Sequence, residues 1–468
     1  MTSKLSFVIV LVTAALLAPP AYAAAALDGA RMNWPWALPF AGILLSIAAG
    51  PLLFPKIWHD HYGKIAAFWA IVTLAALAWF AGPAATLAGF VHAMLAEYMS
   101  FIVLLFALYT VAGGLLITGN LGGRPWSNGA VLAFGTAIAS VVGTTGAAMI
   151  LIRPLIRANS ARAYNKHVVI FFIILVANIG GALSPLGDPP LFVGFLRGID
   201  FFWPARNLWQ ETAGVAAAVL AIFLVLDLWF MRREPPMAKA AAAIRLHGLV
   251  NLPLIAAIIG AILLSAAWKP GVAFDITGTH VALQNLARDG ALVVIALLSL
   301  WLTPNEHRAA NEFSWGPIVE VAKLFAGIFV CIIPVLAMLD AGHDGPFAWL
   351  LRAVTAHDGS PHEPAYFWLT GLLSGFLDNA PTYLVFFQLA GGNAAELMDK
   401  LAPTLAAISL GAVYMGALTY IGNAPNFMVA AIANERGVKM PSFFGFVLWS
   451  GAVLLPVLAL LTVFSIAD

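Results

Sequence analysis

Two short polar segments each occur twice in this chain, about 235 residues apart, within otherwise apolar runs. The first pair is residues 140–146 (SVVGTTG) and 374–380 (SGFLDNA), and the second is residues 184–192 (SPLGDPPLF) and 419–427 (TYIGNAPNF). Polar residues that break helices at matching depths in the two halves of a membrane protein indicate the binding site of a transporter. The pattern therefore predicts that the chain binds an ion or a small solute inside the membrane.

The second pair of segments predicts two helices that unwind within the membrane. Gly187 and Pro189 disfavour continuation of the first helix, and Gly422 and Pro425 interrupt the later run in the same way. Unwound turns free backbone carbonyl oxygens, and side-chain oxygens add to them at Ser184, Asp188, Thr419, Asn423 and Asn426. Hard cations such as sodium bind such oxygens, whereas the N-termini of half-helices offer N–H groups to an anion. The residues alone therefore leave both kinds of ligand open.

The first pair of segments would complete the site at the tips of two hairpins. Thr144 and Thr145 align with Asp378 and Asn379, and each tip would face the broken helix of its own repeat. The two repeats then differ, because one carboxylate lies on a broken helix (Asp188) and the other on a hairpin. We predict that these are the only two carboxylates at mid-bilayer depth. The predicted sodium ligands are Asp188, Asp378, Asn379 and Asn423.

Each aspartate also has a plainer interpretation. A carboxylate inside a membrane is costly and is by default functional, and a carboxylate removed from water favours its protonated form, so proton and cation can compete for it. However, Asp, Asn, Ser and Thr are also common caps of helices that restart after a break. For Asp188 and Asp378 we expect a functional role, and for Ser184 and Thr419 the two interpretations are evenly matched.

The composition limits the class of protein. Of the residues, 62% are hydrophobic and 10% are charged, whereas a soluble protein carries about a quarter charged residues. A formal net charge of +1 gives no electrostatic basis for binding nucleic acid. Cys331 is the single cysteine, so an internal disulfide is excluded. The chain is therefore predicted to be one polytopic α-helical unit whose surroundings are the lipid bilayer.

A helix needs about 20 apolar residues to cross the hydrocarbon. Two apolar stretches, 128–152 and 366–390, carry polar or small residues at their middle, and we predict that each forms a re-entrant hairpin. The fold class is thus an all-α polytopic membrane protein with about ten transmembrane helices and two re-entrant hairpins, in two inverted repeats with broken helices. The predicted spans are 36–54, 65–82, 93–117, 167–199, 208–230, 248–268, 289–303, 317–340, 403–434 and 442–464.

The positions of Lys and Arg favour the hairpin interpretation, because these residues concentrate on the cytoplasmic side. If 128–152 crossed the membrane, the basic cluster at 153–166 would lie outside. With two hairpins, the two repeats acquire opposite orientations, which fits alternating access. The predicted divisions are N-terminal helices 24–92, a first repeat 93–230 with broken helix 167–199, connecting helices 231–316, and a second repeat 317–464 with broken helix 403–434.

Residues 1–23 have the form of a bacterial signal peptide. Lys4 precedes an apolar core over residues 5–17, and Ala21-Tyr22-Ala23 resembles a cleavage site. Cleavage would place the mature N-terminus outside the cytoplasm. The alternative is an uncleaved first helix. Either way, we expect a multi-pass protein of the bacterial inner membrane.

The motifs also carry a resemblance. Asp378-Asn379-Ala380-Pro381, residues 187–190 (GDPP) and residues 422–426 (GNAPN) resemble the ion-transporter superfamily over residues 90–464, and within it the NhaD-type sodium/proton antiporters and the related citrate transporters. The Ser-Asn-Thr hairpin tips of the carboxylate-transporting relatives are absent, since the tips here read Gly-Thr-Thr-Gly and Asp-Asn-Ala-Pro. The resemblance implies ion-binding residues at Thr144, Thr145, Ser184, Gly187, Asp188, Asp378, Asn379, Thr419, Gly422, Asn423 and Asn426.

Three functions compete at this point. A sodium (cation)/proton antiporter explains two buried carboxylates without a clear anion-binding arginine. A sodium- or proton-coupled transporter of citrate or another organic anion explains the hairpins equally well. A non-transport role is third, and no nucleophile or paired metal motif supports an enzyme. We predict the antiporter, with sodium and/or proton as coupling ion and no other cofactor, and we leave a homodimer open.

Overall fold

The protein is described by a computed structural model over residues 27–119, 121–235 and 243–466. The predicted signal peptide, residues 1–23, lies outside the described residues. Within them, the fold is almost entirely helical, which confirms the predicted all-α class. Two antiparallel two-stranded ribbons complete it, β1 (Leu116–Thr118) with β2 (Arg245–His247) and β3 (Ala273–Ile276) with β4 (Thr279–Ala282).

The helices follow the apolar runs of the sequence. In chain order they are α1 Leu38–Leu53, α2 Pro55–Ala81, α3 Pro83–His92, α4 Met99–Ala112, α5 Pro125–Val142, α6 Thr144–Ala158, α7 Lys166–Leu175, α8 Pro189–Leu196, α9 Trp203–Asn207, α10 Trp209–Met231, α11 Asn251–Ala267, α12 Leu283–Leu302, α13 Asn305–Ala310, α14 Gly316–Cys331, α15 Ile333–Asp340, α16 Ala348–Ala353, α17 Glu363–Leu377, α18 Asn379–Leu389, α19 Ala394–Met398, α20 Ala402–Met415, α21 Ala424–Glu435 and α22 Phe443–Leu461.

Among the described residues, eight helical segments are long and apolar enough to cross a membrane. Three predicted spans, 167–199, 248–268 and 403–434, are not among them. The first and the last are each divided into shorter helices, and the helix of the second, Asn251–Ala267, has 17 residues. The predicted span 93–117 needs correction, since a helical run of 30 residues covers Pro83–Ala112. That run joins α3 to α4 through a π-helical segment, Ala93–Tyr98.

The two interrupted stretches each form a pair of packed helices joined by one residue. Gly143 joins α5 to α6 at φ +81°, and Asp378 joins α17 to α18 at φ +100°. Glycine adopts such a φ without strain, whereas a residue with a Cβ does so at a cost. The alignment of Thr144 and Thr145 with Asp378 and Asn379 was therefore wrong by one residue: the structure equates Thr144 with Asn379.

The predicted broken helices unwind at their Gly- and Pro-rich segments. Between α7 and α8 the chain leaves the α-helix, makes a short 3₁₀ turn at Ile179–Gly181, and restarts at Pro189. Between α20 and α21 a 3₁₀ turn at Gly416–Leu418 takes the same place. Both breaks lie in the buried core. In long helices such as α2 and α10, by contrast, few residues are buried, as expected of helices that face lipid.

Matched contacts fasten each broken helix to the hairpin of its own repeat. The Ser184 hydroxyl donates to the carbonyl of Ser140 on α5. The Thr419 hydroxyl donates to the carbonyl of Gly375 on α17 at 2.6 Å. Because each hydroxyl binds a backbone carbonyl at the end of a hairpin helix, the two breaks and the two hairpin tips meet in one region of the core.

Candidate functional site

The centre of this region is the carboxylate of Asp188, which is 1% exposed. Its Oδ1 accepts hydrogen bonds from Thr144 Oγ1 at 3.1 Å and from Asn423 Nδ2 at 2.8 Å. Its Oδ2 accepts one from Asn379 Nδ2 at 2.5 Å. These partners come from the first hairpin, the second broken helix and the second hairpin. Asp188 itself lies on the first broken helix, so all four interrupted elements meet at one carboxylate.

The capping interpretation distinguishes the two aspartates. Asp188 stands at the N-cap position of α8, yet its side chain accepts no hydrogen bond from the first turn of that helix. Its carboxylate is therefore directed at the other three elements. Asp378 stands at the N-cap of α18 and does accept one from the Ala380 backbone N–H, at 3.2 Å. The carbonyl of Asp378 also accepts a bond from Thr382 Oγ1 at 2.7 Å.

Buried amides extend the cluster across both broken helices. Asn423 Nδ2 also donates to the Ala177 carbonyl at 3.1 Å and to Asn178 Oδ1 at 3.3 Å. Asn178 Nδ2 in turn donates to Asn426 Oδ1 at 2.8 Å. Asn426 then donates to the carbonyls of Gly416 and Thr419, at 2.8 and 2.9 Å. The unwound backbone of the first repeat is thus held partly by Asn423 of the second, and Asn178 and Asn426 join the two breaks through their side chains.

Asn178 is the residue that sequence reasoning missed. It lies in the turn just after α7, and it is fully buried. No proline stands beside it, so the break there carries no strong signal. The two glycines that follow, Gly180 and Gly181, were the available indication that the helix already ends before Ser184.

Two glycines allow the breaks to pack closely. A Cβ on Gly187 would lie 2.2 Å from the carbonyl oxygen of Gly181, and a Cβ on Gly422 would lie 2.5 Å from that of Gly416. Both obstacles are backbone atoms, which cannot turn aside as a side chain can. The same contact therefore recurs in both repeats and requires the absence of a side chain.

Some of the predicted site residues lie outside the hydrogen-bonded cluster. Thr145 is only half-buried and makes none of its bonds. Ser184 and Thr419 stabilise the breaks through the contacts given above.

Among the described residues, neither Asp188 nor Asp378 forms a salt bridge, and the two carboxylates act on each other electrostatically. The amide oxygen Oδ1 of Asn379 is buried without a hydrogen-bond partner.

The electrostatics of the site therefore suit a hard cation. Two carboxylates are buried without a cationic partner, and an unpaired amide oxygen lies on the residue that touches one of them. Carboxylate and amide oxygens are the ligands that hard cations take. Within the described part of the chain, no group of three His, Cys, Asp or Glu side chains could hold a metal ion, so a transition-metal centre has no ligand set there.

Glu97 is a further buried carboxylate within a candidate membrane span, in addition to Asp188 and Asp378. Glu97 lies near the middle of the 30-residue run Pro83–Ala112 and is 7% exposed. The sequence analysis began this span at residue 93, which placed Glu97 near its end. Glu97 is paired with Arg197 rather than with the Asp188 cluster.

Helices that break at matching positions around a buried cluster of carboxylate, amide and hydroxyl groups are characteristic of a multi-pass secondary transporter. The chain belongs to the family described as "Putative citrate transport", which matches residues 29–466. An uncharacterized transporter of Mycobacterium tuberculosis is 27% identical over 284 residues, covering 58% of this chain and 61% of the relative. An uncharacterized transporter of Synechocystis sp. is 24% identical over 339 residues, covering 66% of this chain and 70% of the relative.

These relatives agree with the prediction that the chain is a membrane transporter and not an enzyme. The chain spans about three fifths of the length of its mycobacterial relative. The finer resemblance to NhaD-type antiporters is not addressed by these relatives and stays a prediction.

Proposed function

We propose that this transporter exchanges a monovalent cation, most simply sodium, for protons across the bacterial inner membrane. The observation that carries the proposal is the Asp188 carboxylate, buried at the meeting point of four interrupted elements without a cationic partner. A charge in that position needs compensation. Either a proton or a cation can supply it, and antiport requires such competition for one site.

The ligands of the cation would come from both repeats. Asp188 and Asn423 lie on the broken helices, and Asp378 and Asn379 lie on the second hairpin. Asn379 Oδ1 is an oxygen with no other partner. When a cation binds, an amide group can turn its oxygen toward the ion, because the oxygen and nitrogen ends occupy equivalent positions. The cluster can thus bind a proton in one state and a cation in another.

Movement of the site would follow from the repeats. Two repeats of opposite orientation, each with one hairpin and one broken helix, support alternating access, in which one part of the protein rocks against the rest. Each broken helix is fastened to its own hairpin through Ser184 or Thr419. We therefore propose that hairpins and broken helices move together and carry the ion-binding cluster with them.

The family description supports a second candidate, which is coupled transport of citrate or another organic anion. Against it, the described residues place no arginine or lysine in the Asp188 cluster. Arg153, on the second helix of the first hairpin, is bound to Glu312 through its Nε at 3.2 Å. A tricarboxylate would therefore have to be held by amides, hydroxyls and bound cations alone.

Purified protein in proteoliposomes would test the proposal. A pH gradient is imposed across the liposome membrane, and the pH of the lumen is followed with a fluorescent dye. Sodium, lithium or potassium is then added to the external solution. Uptake of radiolabelled citrate is measured in parallel. We expect saturable, cation-driven proton movement that citrate does not change. Citrate accumulation without cation-driven proton movement would refute antiport and support organic-anion transport.

A further inference from the structure

A cavity of about 430 Å³ lies apart from the Asp188 cluster. Two helices, α8 and α18, begin at the cluster and end at the cavity. α8 runs from beside Asp188 to Arg197, and α18 runs from Asn379 to Gln388 and Leu389. Both Arg197 and Gln388 line the cavity. At about 1.5 Å per residue, the eight residues of α8 separate the cavity from the candidate site by about 12 Å. The predicted topology puts this side outside the cytoplasm.

Glu97 lines the cavity and lies in a π-helical segment of the backbone. It belongs to the π-helical segment Ala93–Tyr98, which interrupts an otherwise α-helical run. Single π-helical turns within α-helices are frequent at functional sites. A carboxylate near the middle of a membrane-spanning run is also a functional candidate by default. Two independent features thus mark the same residue.

The polar lining of the cavity carries a negative balance. Arg197 Nη2 lies 2.5 Å from Glu97 Oε1, and its Nη1 lies 3.5 Å from Gln388 Oε1. Gln388 also donates to Asp340, which is exposed to the cavity. Among the lining residues, the carboxylates of Glu97 and Asp340 face the single guanidinium of Arg197. The C-terminal ends of α8 and α18 add partial negative charge. Arg197 Nε and Thr277 Oγ1, both buried without a hydrogen-bond partner, are donors on lining residues that would favour an anion.

We infer that this cavity is an outer vestibule that gathers monovalent cations before they reach Asp188 and Asp378. The inference rests on the proposed antiport and extends it to a second site, at Glu97 and Asp340. A net negative charge within a cleft that has apolar walls attracts cations and raises their local concentration. A cation with six waters needs about 180 Å³ at the liquid volume of about 30 Å³ per water. The cavity can therefore receive the ion while it is still hydrated.

The charge of the vestibule can be measured without any transport assay. A cysteine at His92, which lines the cavity, is introduced in a Cys331→Ala background. Its rates of reaction with a cationic and an anionic methanethiosulfonate reagent are compared, each relative to a free thiol. At low ionic strength we expect the cationic reagent to be favoured about tenfold. Added salt should reduce the preference, because it screens the carboxylates.

Substitutions of the carboxylates decide the assignment. Glu97→Gln with Asp340→Asn leaves Arg197 as the remaining charged group of the lining, so the preference should reverse in favour of the anionic reagent. Asp200→Asn is the matched control, because Asp200 lies close to Arg197 in sequence but pairs with Arg206 at the surface and does not line the cavity. That control should keep the preference. A faster anionic reagent in the protein that keeps both carboxylates, or a ratio that the double variant leaves unchanged, would refute the proposed vestibule.

The same double variant connects the vestibule to transport. In proteoliposomes it should raise the KM for sodium added to the outer face about tenfold, while Asp200→Asn should not. An unchanged outer KM would contradict a role in delivering the ion. Absence of cation-driven exchange in the wild-type protein would instead refute the proposed antiport, and the thiol ratios would still decide the charge of the cavity.

Discussion

Asn423 donates a hydrogen bond to Asp188 at 2.8 Å, although the two residues hold the same position in repeats 235 residues apart. Equivalent residues of two symmetry-related units touch only where the symmetry axis passes between them. Thr144 and Asn379 form a second equivalent pair, and both donate to Asp188. Equivalent positions of the two predicted repeats therefore meet at the candidate site, as a pseudo-twofold axis between the repeats would require.

The first prediction concerns Asp378. Asp378→Asn keeps the size of the side chain and can still cap α18, but it removes a group that can exchange a proton for a cation. We expect cation-driven proton movement in proteoliposomes to fall to the level of empty liposomes. Asp378→Gly should be equally inactive. Because glycine relieves a backbone strain of about 1–3 kcal/mol at this φ, that variant should unfold at a higher temperature than Asp378→Asn. Wild-type exchange by Asp378→Asn across the pH range would refute the role.

The second prediction concerns the close contacts at Gly187 and Gly422. Valine at either position, and even alanine, places a Cβ within about 2.5 Å of a backbone carbonyl, so the break must shift. We expect both variants to insert in the membrane and to lose transport. Gly260→Ala is the control, since a Cβ there meets nothing within 4 Å and Gly260 lies within α11. Normal flux in the Gly187 and Gly422 variants would show that transport does not depend on the close packing of the two breaks.

The third prediction concerns Asn178, which joins the two broken helices. Asn178→Ala leaves the buried Asn426 Oδ1 without its donor, at a cost of about 1–3 kcal/mol. We expect a lower unfolding temperature in detergent together with weaker exchange. Asn285→Ala, which removes an exposed amide near Arg288, should change neither. Equal behaviour of the two variants would show that the amide chain does not couple the repeats.

The fourth prediction concerns topology. The loop after α6 should face the cytoplasm and the loop after α18 should face outside, because the hairpins open to opposite sides. Cysteines at Ser160 and Ala395, both exposed, are introduced separately into a Cys331→Ala background. Membrane-impermeant reagents should label them from opposite faces of oriented vesicles. Labelling from the same face would exclude inverted hairpins.

The sequence was informative where a local rule decides the backbone. Proline and glycine break a helix through covalent geometry, so the interruptions near Gly187 and Gly422 were visible in one chain. Apolar length sets a membrane span, so the all-α polytopic class followed as well. These features depend on neighbours along the chain and need no knowledge of tertiary contacts.

Other features depend on contacts that one sequence does not display. The hairpin alignment was off by one because φ, rather than residue type, identifies Asp378 with Gly143. Asn178 joined the site through a partner 248 residues away. The span containing Glu97 began ten residues earlier than its hydropathy indicated, since α3 continues into the π-helical turn.

The replacement of Gly143 by Asp378 at the turn of the second hairpin has an energetic consequence. Two identical repeats would make the inward- and outward-facing forms degenerate, and neither would predominate without a gradient. Here one turn is relaxed and neutral, while the other is strained and carries an ionisable group. If the protein works by the proposed alternating access, this difference removes the degeneracy, and we expect a preferred resting orientation whose population depends on whether Asp378 holds a proton, a cation or neither.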